Sequence, residues 1–113
     1  MITDFSFGKI VVNGKIYTND IKIVRGQVIS DWRRKSGHRV DVEDIADILE
    51  SGPDTVVIGK GSPGLMKTSN HLRESLTVNN IVLIEKKTSR AIEVFNKLFQ
   101  EGRKVAAGFH ISC

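Results

Sequence analysis

The residues best placed to do chemistry are the glycines and the lysine of Gly59-Lys60-Gly61-Ser62-Pro63-Gly64. The run matches G-x-G-x-x-G and follows the apolar stretch Thr55-Val56-Val57-Ile58 directly. In a dinucleotide site such glycines let the backbone approach a pyrophosphate, and an acid at the end of the next strand holds a ribose. Glu85, 21 residues after Gly64, stands in that acid's place. Two features oppose NAD or FAD, and no cofactor is expected. Pro63 removes a backbone donor where N–H groups should cradle phosphate. A chain of 113 residues also holds only about half of a two-part dinucleotide fold. What survives is a small-anion site, with Gly59, Lys60, Gly61, Gly64, Lys67 and Arg103 as its candidate residues. The plainer reading is a turn that needs glycine φ angles. Leu65 stands where a phosphate loop would need lysine.

Other constellations are thinner. His110 and Cys113 could offer two metal ligands, with His38 or His71 as a third, but structural zinc asks for four, usually including a second tight pair. No metal site is expected. Cys113 with His110 as its base would make a nucleophile, yet a chain terminus is a poor scaffold for positioned chemistry. Asp41, Glu43, Asp44 and Asp47 have the spacing of a helix start and its solvated face. Asp54, Arg73 and Glu74 could line a sheet crevice, although spacing alone does not aim them. No catalytic residue is assigned, and residue types alone do not decide whether the chain is an enzyme. Leu65 and Met66 are apolar residues in a polar loop that no periodicity explains, which makes them candidate partner contacts.

The elements that must carry these groups follow from hydrophobic pattern. The first thirty-two residues alternate apolar and polar around Asn13-Gly14, Asn19-Asp20 and Arg25-Gly26-Gln27, as a β-meander does. Asp41 caps a helix with apolar positions Ile45, Ile48 and Leu49, stopped by Gly52-Pro53. Thr55–Ile58 and Ile81–Ile84 are unbroken apolar strands, and Val105–Phe109 is a third. A helix from about Asn70 to Leu76 separates the first two. A longer one, capped by Thr88 and ended by Gly102, separates the last two, with Ala91, Ile92, Val94, Phe95, Leu98 and Phe99 as its stripe. Strands alternating with helices pair in parallel. The expected fold is α/β, three-layered, with a mixed, mainly parallel sheet and an N-terminal antiparallel β-ribbon, in a single domain over residues 1–113.

Composition narrows the classes of function. The chain is 40% hydrophobic and 27% charged, ordinary for a globular protein. It lacks an apolar run near the ~20 residues that span a bilayer, so no membrane role is expected. A single cysteine and no leader pattern at Met1–Phe5 suit a cytoplasmic protein. The net charge of +4 admits nucleic acid, but with 6% aromatics and no recognition motif that partner is not favoured over a phosphate-bearing ligand or an acidic protein.

Thr88-x-x-Ala91-x-x-x-Phe95-Asn96-x-Leu98-x-x-Glu101-Gly102-Arg103-x-Val105-Ala106-Ala107 resembles the signature of the small Mth-type, adipogenesis-associated domain family. The Ile58-Gly59-x-Gly61 turn and the Gly14, Tyr17, Trp32 framework resemble it as well, so the likeness covers nearly the whole chain. That resemblance implies one three-layer domain and no transferable catalytic residue. The family includes an assembly factor of the mitochondrial NADH:ubiquinone oxidoreductase complex, which implies protein binding. The preferred expectation is therefore a non-enzymatic interaction or assembly module with a protein partner. The alternative is a small-anion or nucleotide-binding protein, with the glycine turn as its site.

Overall fold

A strand that is apolar on both faces must run inside a sheet with cover on each side. The computed structural model describes residues 1–112. In chain order its strands are β1 (Ile2–Ser6), β2 (Lys9–Val12), β3 (Lys15–Tyr17), β4 (Ile21–Val24), β5 (Gln27–Ile29) and β6 (Arg39–Val40). A 3-10 turn, Val42–Ile45, leads into helix α1 (Ala46–Glu50). Then come β7 (Thr55–Lys60), β8 (Lys67–Thr68), α2 (Asn70–Val78), β9 (Val82–Lys86), α3 (Thr88–Gln100) and β10 (Val105–His110). The five-stranded main sheet has the order β5-β4-β10-β7-β9. β10, β7 and β9 are parallel, while β4 runs antiparallel to β10. β10 is buried throughout, and β7 along all but its last residue.

Each face of this sheet buries a separate core. On one side Val57, Ala107 and Phe109 meet Ala91, Ile92 and Phe95 of α3 and Ile2, Ile10 and Val12 of the N-terminal ribbon. Phe95 and Phe109 pack edge to face at 5.8 Å, a geometry that adds ~0.5–1.5 kcal/mol beyond area burial. Asn96 pins the ribbon to α3 by accepting from the Ile2 N–H and donating to the Ile2 carbonyl. On the other side Val56, Ile58 and Ala106 meet Trp32, Ile45, Ile48, Met66, Leu72 and Leu76. These are the three layers that the patterning implied. Among the described residues no helix is long and apolar enough to cross a membrane.

Several local expectations are corrected. The N-terminal meander divides: β1–β3 form their own sheet, whereas β4 and β5 join the main one. Trp32 lies beyond β5 and drops onto the sheet face, where its indole N–H donates to the Asp44 carbonyl. β9 begins at Val82 and forms an edge, so it lacks the cover its apolar composition led one to expect. Asp41 caps, in a capping box with Asp44, but what it caps is the 3-10 turn Val42–Ile45; α1 itself starts from Ile45 without a side-chain cap. Gly102 ends α3 in a Schellman motif, its N–H bonding the Phe99 carbonyl and the Arg103 N–H bonding that of Leu98. Thr88 does not cap α3; the N-cap is Lys87.

Two glycines let the layers close. A Cβ on Gly108 would lie 2.6 Å from Trp32 Cη2, and one on Gly59 would lie 2.8 Å from Phe109 Cδ1 and 3.2 Å from Thr88 Cα. Neither neighbour is the free end of a flexible chain. Gly108→Ala and Gly59→Ala are each expected to cost about 1–3 kcal/mol, read as a lower urea midpoint at unchanged m. Wild-type midpoints would show that the rings do not rest on the bare backbone.

Candidate functional site

The glycine turn is the first place to look, and the donors of Gly61, Ser62 and Met66 are already bonded within the chain. Gly59 and Lys60 belong to β7 rather than to a turn. The Gly61 N–H donates to Thr88 Oγ1 at 2.8 Å, and that hydroxyl donates onward to the His110 carbonyl. The Ser62 N–H donates to the Ser112 carbonyl, and the Met66 N–H to that of Lys60. With Pro63 lacking a donor, little backbone remains to cradle phosphate. Helix α2 starts only at Asn70, capped by Ser69. The intervening loop folds back and seats Met66, fully buried, in the core. The closeness of Thr88 and Phe109 is enough to require glycine at position 59.

The six candidate anion residues do not converge. Lys67 is exposed in β8, next to Arg39 in register. Arg103 precedes β10, at the opposite end of the parallel strands from Gly61 and paired with Asp54 at 3.7 Å. A strand of six residues puts ~20 Å between those ends. Glu85, the supposed ribose acid, instead accepts from Thr68 Oγ1 and Arg73 Nε. The partner-contact pair separates too: Leu65 is 57% exposed, but Met66 is at 0% and offers a partner nothing. Among the described residues no cluster of histidine, cysteine and carboxylates could hold a metal. Cys113 lies outside the described residues, and with it the thiol roles considered for it.

A different group of residues does converge, on the carboxyl end of β10. Asp20, in the turn before β4, receives three donors. His110 Nδ1 stands 2.7 Å from Asp20 Oδ2, Arg34 Nη2 stands 2.7 Å from the same oxygen, and the Ile111 N–H reaches Oδ1 at 2.8 Å. Arg34 also donates to the Gly37 carbonyl and lies over the Trp32 ring at 4.6 Å, a cation–π arrangement. His38 meets the His110 ring edge-on at 5.6 Å. An Nδ1 this close to a carboxylate carries its proton, so Arg34 Nη2 and His110 both donate to Asp20 rather than to each other. Burial alone would raise the Asp20 carboxyl, but the bonds from His110, Ile111 and Arg34 outweigh it and hold the group below its usual value of 3.8.

The His110–Asp20 pair has the make-up of a base and its orienting acid, yet it is enclosed. Arg34 Nη1 and His110 Nε2 are both buried, without a hydrogen-bond partner among the described residues. A base must reach the proton that it takes. Enclosed in this way, the three side chains act as a clamp that ties the end of the central strand to two loops. Asp20 and Arg34 were not singled out by sequence reasoning, which read Asp20 only as part of a turn. One signal was available: Trp32 and Arg34 are two apart, so an extended segment puts both on one face while Arg33 points away.

The fold and these sites define a small three-layer α/β domain, and comparison places it. Residues 2–110 match the model of the family described as Protein of unknown function (DUF498/DUF598), and the chain belongs to that family. It is similar to the solved structure of MT938, with 26% identity over 100% of this chain and 98% of the other, and a TM-score of 0.84. It is also similar to the conserved hypothetical protein PH1505 from Pyrococcus horikoshii, with 24% identity, 100% and 99% coverage and a TM-score of 0.86. A Mth938-like domain from Bordetella pertussis shares the fold at 18% identity, 97% and 84% coverage and a TM-score of 0.67. These matches agree with the Mth-type resemblance.

Breaking the clamp has a signed pH dependence. A carboxyl whose folded pKa lies below its unfolded one adds stability that is complete above the unfolded value. That stability fades as pH falls through the folded value. Wild-type stability should therefore decline as pH drops below about 3.8, in part through Asp20. Asp20→Asn should cost about 3 kcal/mol at pH 7, because it strands the buried Arg34 charge and takes the carboxylate from the His110 Nδ1–H, and should flatten that acid slope. Urea melts of both proteins from pH 7 to 2.5 check it, and parallel curves would remove Asp20 from the account.

Proposed function

We propose that this chain is a non-enzymatic protein-interaction or assembly module whose contact surface is the β9 edge. The observation that carries the reading is the state of that strand. β9 has five residues and, among the described residues, pairs only with β7, so alternate residues turn their N–H and C=O groups away from the sheet. Val82 is 55% exposed and Leu83 and Ile84 are half-buried, while Val78, at the end of α2, is 79% exposed. An open apolar edge is a template for a further strand, and proteins that keep one alone usually blunt it with charge or a bulge. Glu85 is engaged by Thr68 and Arg73, and the exposed charges at the far end include Lys86, Lys87 and Arg90. The partner that fits is a protein with an extended segment, apolar along Val82–Ile84 and acidic beyond. Leu65 is a candidate flanking contact.

Occupied donors at Gly61, Ser62 and Met66 favour this reading over the anion-binding alternative at the glycine turn. A photo-crosslinking residue at position 82, with one at Ser30 by the other edge as control, tests the interaction reading in cells. One protein should be captured from position 82 alone, joined through an extended segment. Val82→Lys should then weaken the purified pair at least tenfold without lowering thermal stability. Capture equally from Ser30, or no loss with Val82→Lys, would contradict the reading.

A further inference from the structure

A second site lies at the opposite end of the sheet from the clamp, and the reading above does not use it. A cavity of about 470 Å³ opens beneath the amino ends of β7 and β10. That volume falls within the usual range for small-molecule sites. Its walls include Arg25 and Gly26 of the β4–β5 turn, Pro53, Phe99 of α3, and Arg103 and Lys104. Three cations line it and no carboxylate does. The Phe99 ring, partly exposed, stacks on Phe95 at 5.7 Å and stands over Gly26, where even a Cβ would lie 3.4 Å from it. Arg103 is placed by the Schellman motif that ends α3. The Lys104 backbone is held through its carbonyl, which accepts from Asp54 and Thr55.

The cations have another task to be weighed. α1 and α3 both end at this cavity, and each helix C-terminus carries about half a negative charge. Arg25 leans toward the Ser51 carbonyl at 3.5 Å, a helix-end contact at the limit of hydrogen bonding. Asp54 balances part of Arg103 at 3.7 Å. Three positive charges, less one for Asp54 and about half for each helix end, leave roughly one positive charge unmatched. An apolar wall beside a single net positive charge suits one class of ligand. We propose that this cavity binds a small carboxylate with an aromatic or short apolar body, the carboxylate on Arg103 and Lys104 and the body against Phe99 and Pro53. Arg25 closes the rim. The site is separate from β9, and its test does not depend on any partner there.

Phenylacetate is the probe, followed by amide chemical shifts in the ¹⁵N-labelled chain. Its titration should move Gly26, Lys104 and Val105 saturably. Acetate, which lacks the body, and 2-phenylethanol, which lacks the charge, should each bind at least tenfold more weakly. Phenyl phosphate, doubly charged at pH 7.5, should bind no better than phenylacetate. Arg103→Gln with Lys104→Gln, both exposed side chains, should weaken phenylacetate at least tenfold while the remaining spectrum stays in place; Phe99→Ala should weaken it independently. Shifts that do not saturate by about 20 mM, equal binding of the alcohol, or unchanged binding in both variants would overturn the proposal. Tighter phenyl phosphate binding would overturn the choice of a singly charged ligand.

Discussion

The structure depends on how closely large side chains can approach the middle of one sheet. β10 is the centre of five strands, and β7 lies beside it, with Phe109 opposite Gly59 and Gly108 opposite Ile58. The two glycines open the sheet toward opposite cores. On one face Trp32 rests against Gly108; on the other Phe109 and Thr88 close over Gly59. Close packing is worth most where atoms have no freedom to retreat, and both contacts involve ring atoms or backbone. With Trp32 seated, Arg34 is brought over the indole and on to Asp20. With Thr88 seated, its hydroxyl links the Gly61 N–H to the His110 carbonyl. The end of β10, the glycine turn and the start of α3 thus become one hydrogen-bonded unit.

Charge is distributed to match. The buried polar centre lies at the carboxyl end of the parallel strands, where Asp20 balances Arg34 and orients His110. Burying such groups rarely adds much net stability, but removing one partner leaves the others exposed to the full desolvation cost. Their clearest effect is to fix which loops meet the end of β10. At the amino end the cations are more exposed, and the ion pair of Arg103 with Asp54 is loose. A surface pair like that contributes little, which leaves its members available to a ligand. The two ends of the sheet therefore differ in kind: one is sealed by its polar groups, the other presents them.

Much of the architecture was legible in the chain. Unbroken apolar runs identified β7 and β10, helical stripes located α1 to α3, and Asn13-Gly14 marked a real hairpin with both residues at positive φ. Gly102 and Asp41 ended and began helices as their chemistry requires. The failures share a cause. The packing role of Gly59 and the bond from Gly61 were hidden because sequence shows where glycine stands, not what stands next to it; the neighbours, Phe109 and Thr88, are distant in the chain. Val82–Ile84 looked central because composition does not say which strand ends a sheet. Met66 looked stranded because its loop doubles back, a bend that no periodicity encodes. Asp20 and His110 are ninety residues apart, and nothing local joins them.

The central claim is a gradient of protection across the main sheet, steepest between its buried axis and its open edge. Native-state hydrogen exchange followed residue by residue tests it most directly. The account predicts that Ala106 to Phe109 of β10 exchange only through global unfolding, and that outward-pointing amides of β9 exchange orders of magnitude sooner. Amides of β10 that exchange as fast as those of β9, or a β9 edge as protected as the centre in the isolated chain, would contradict it.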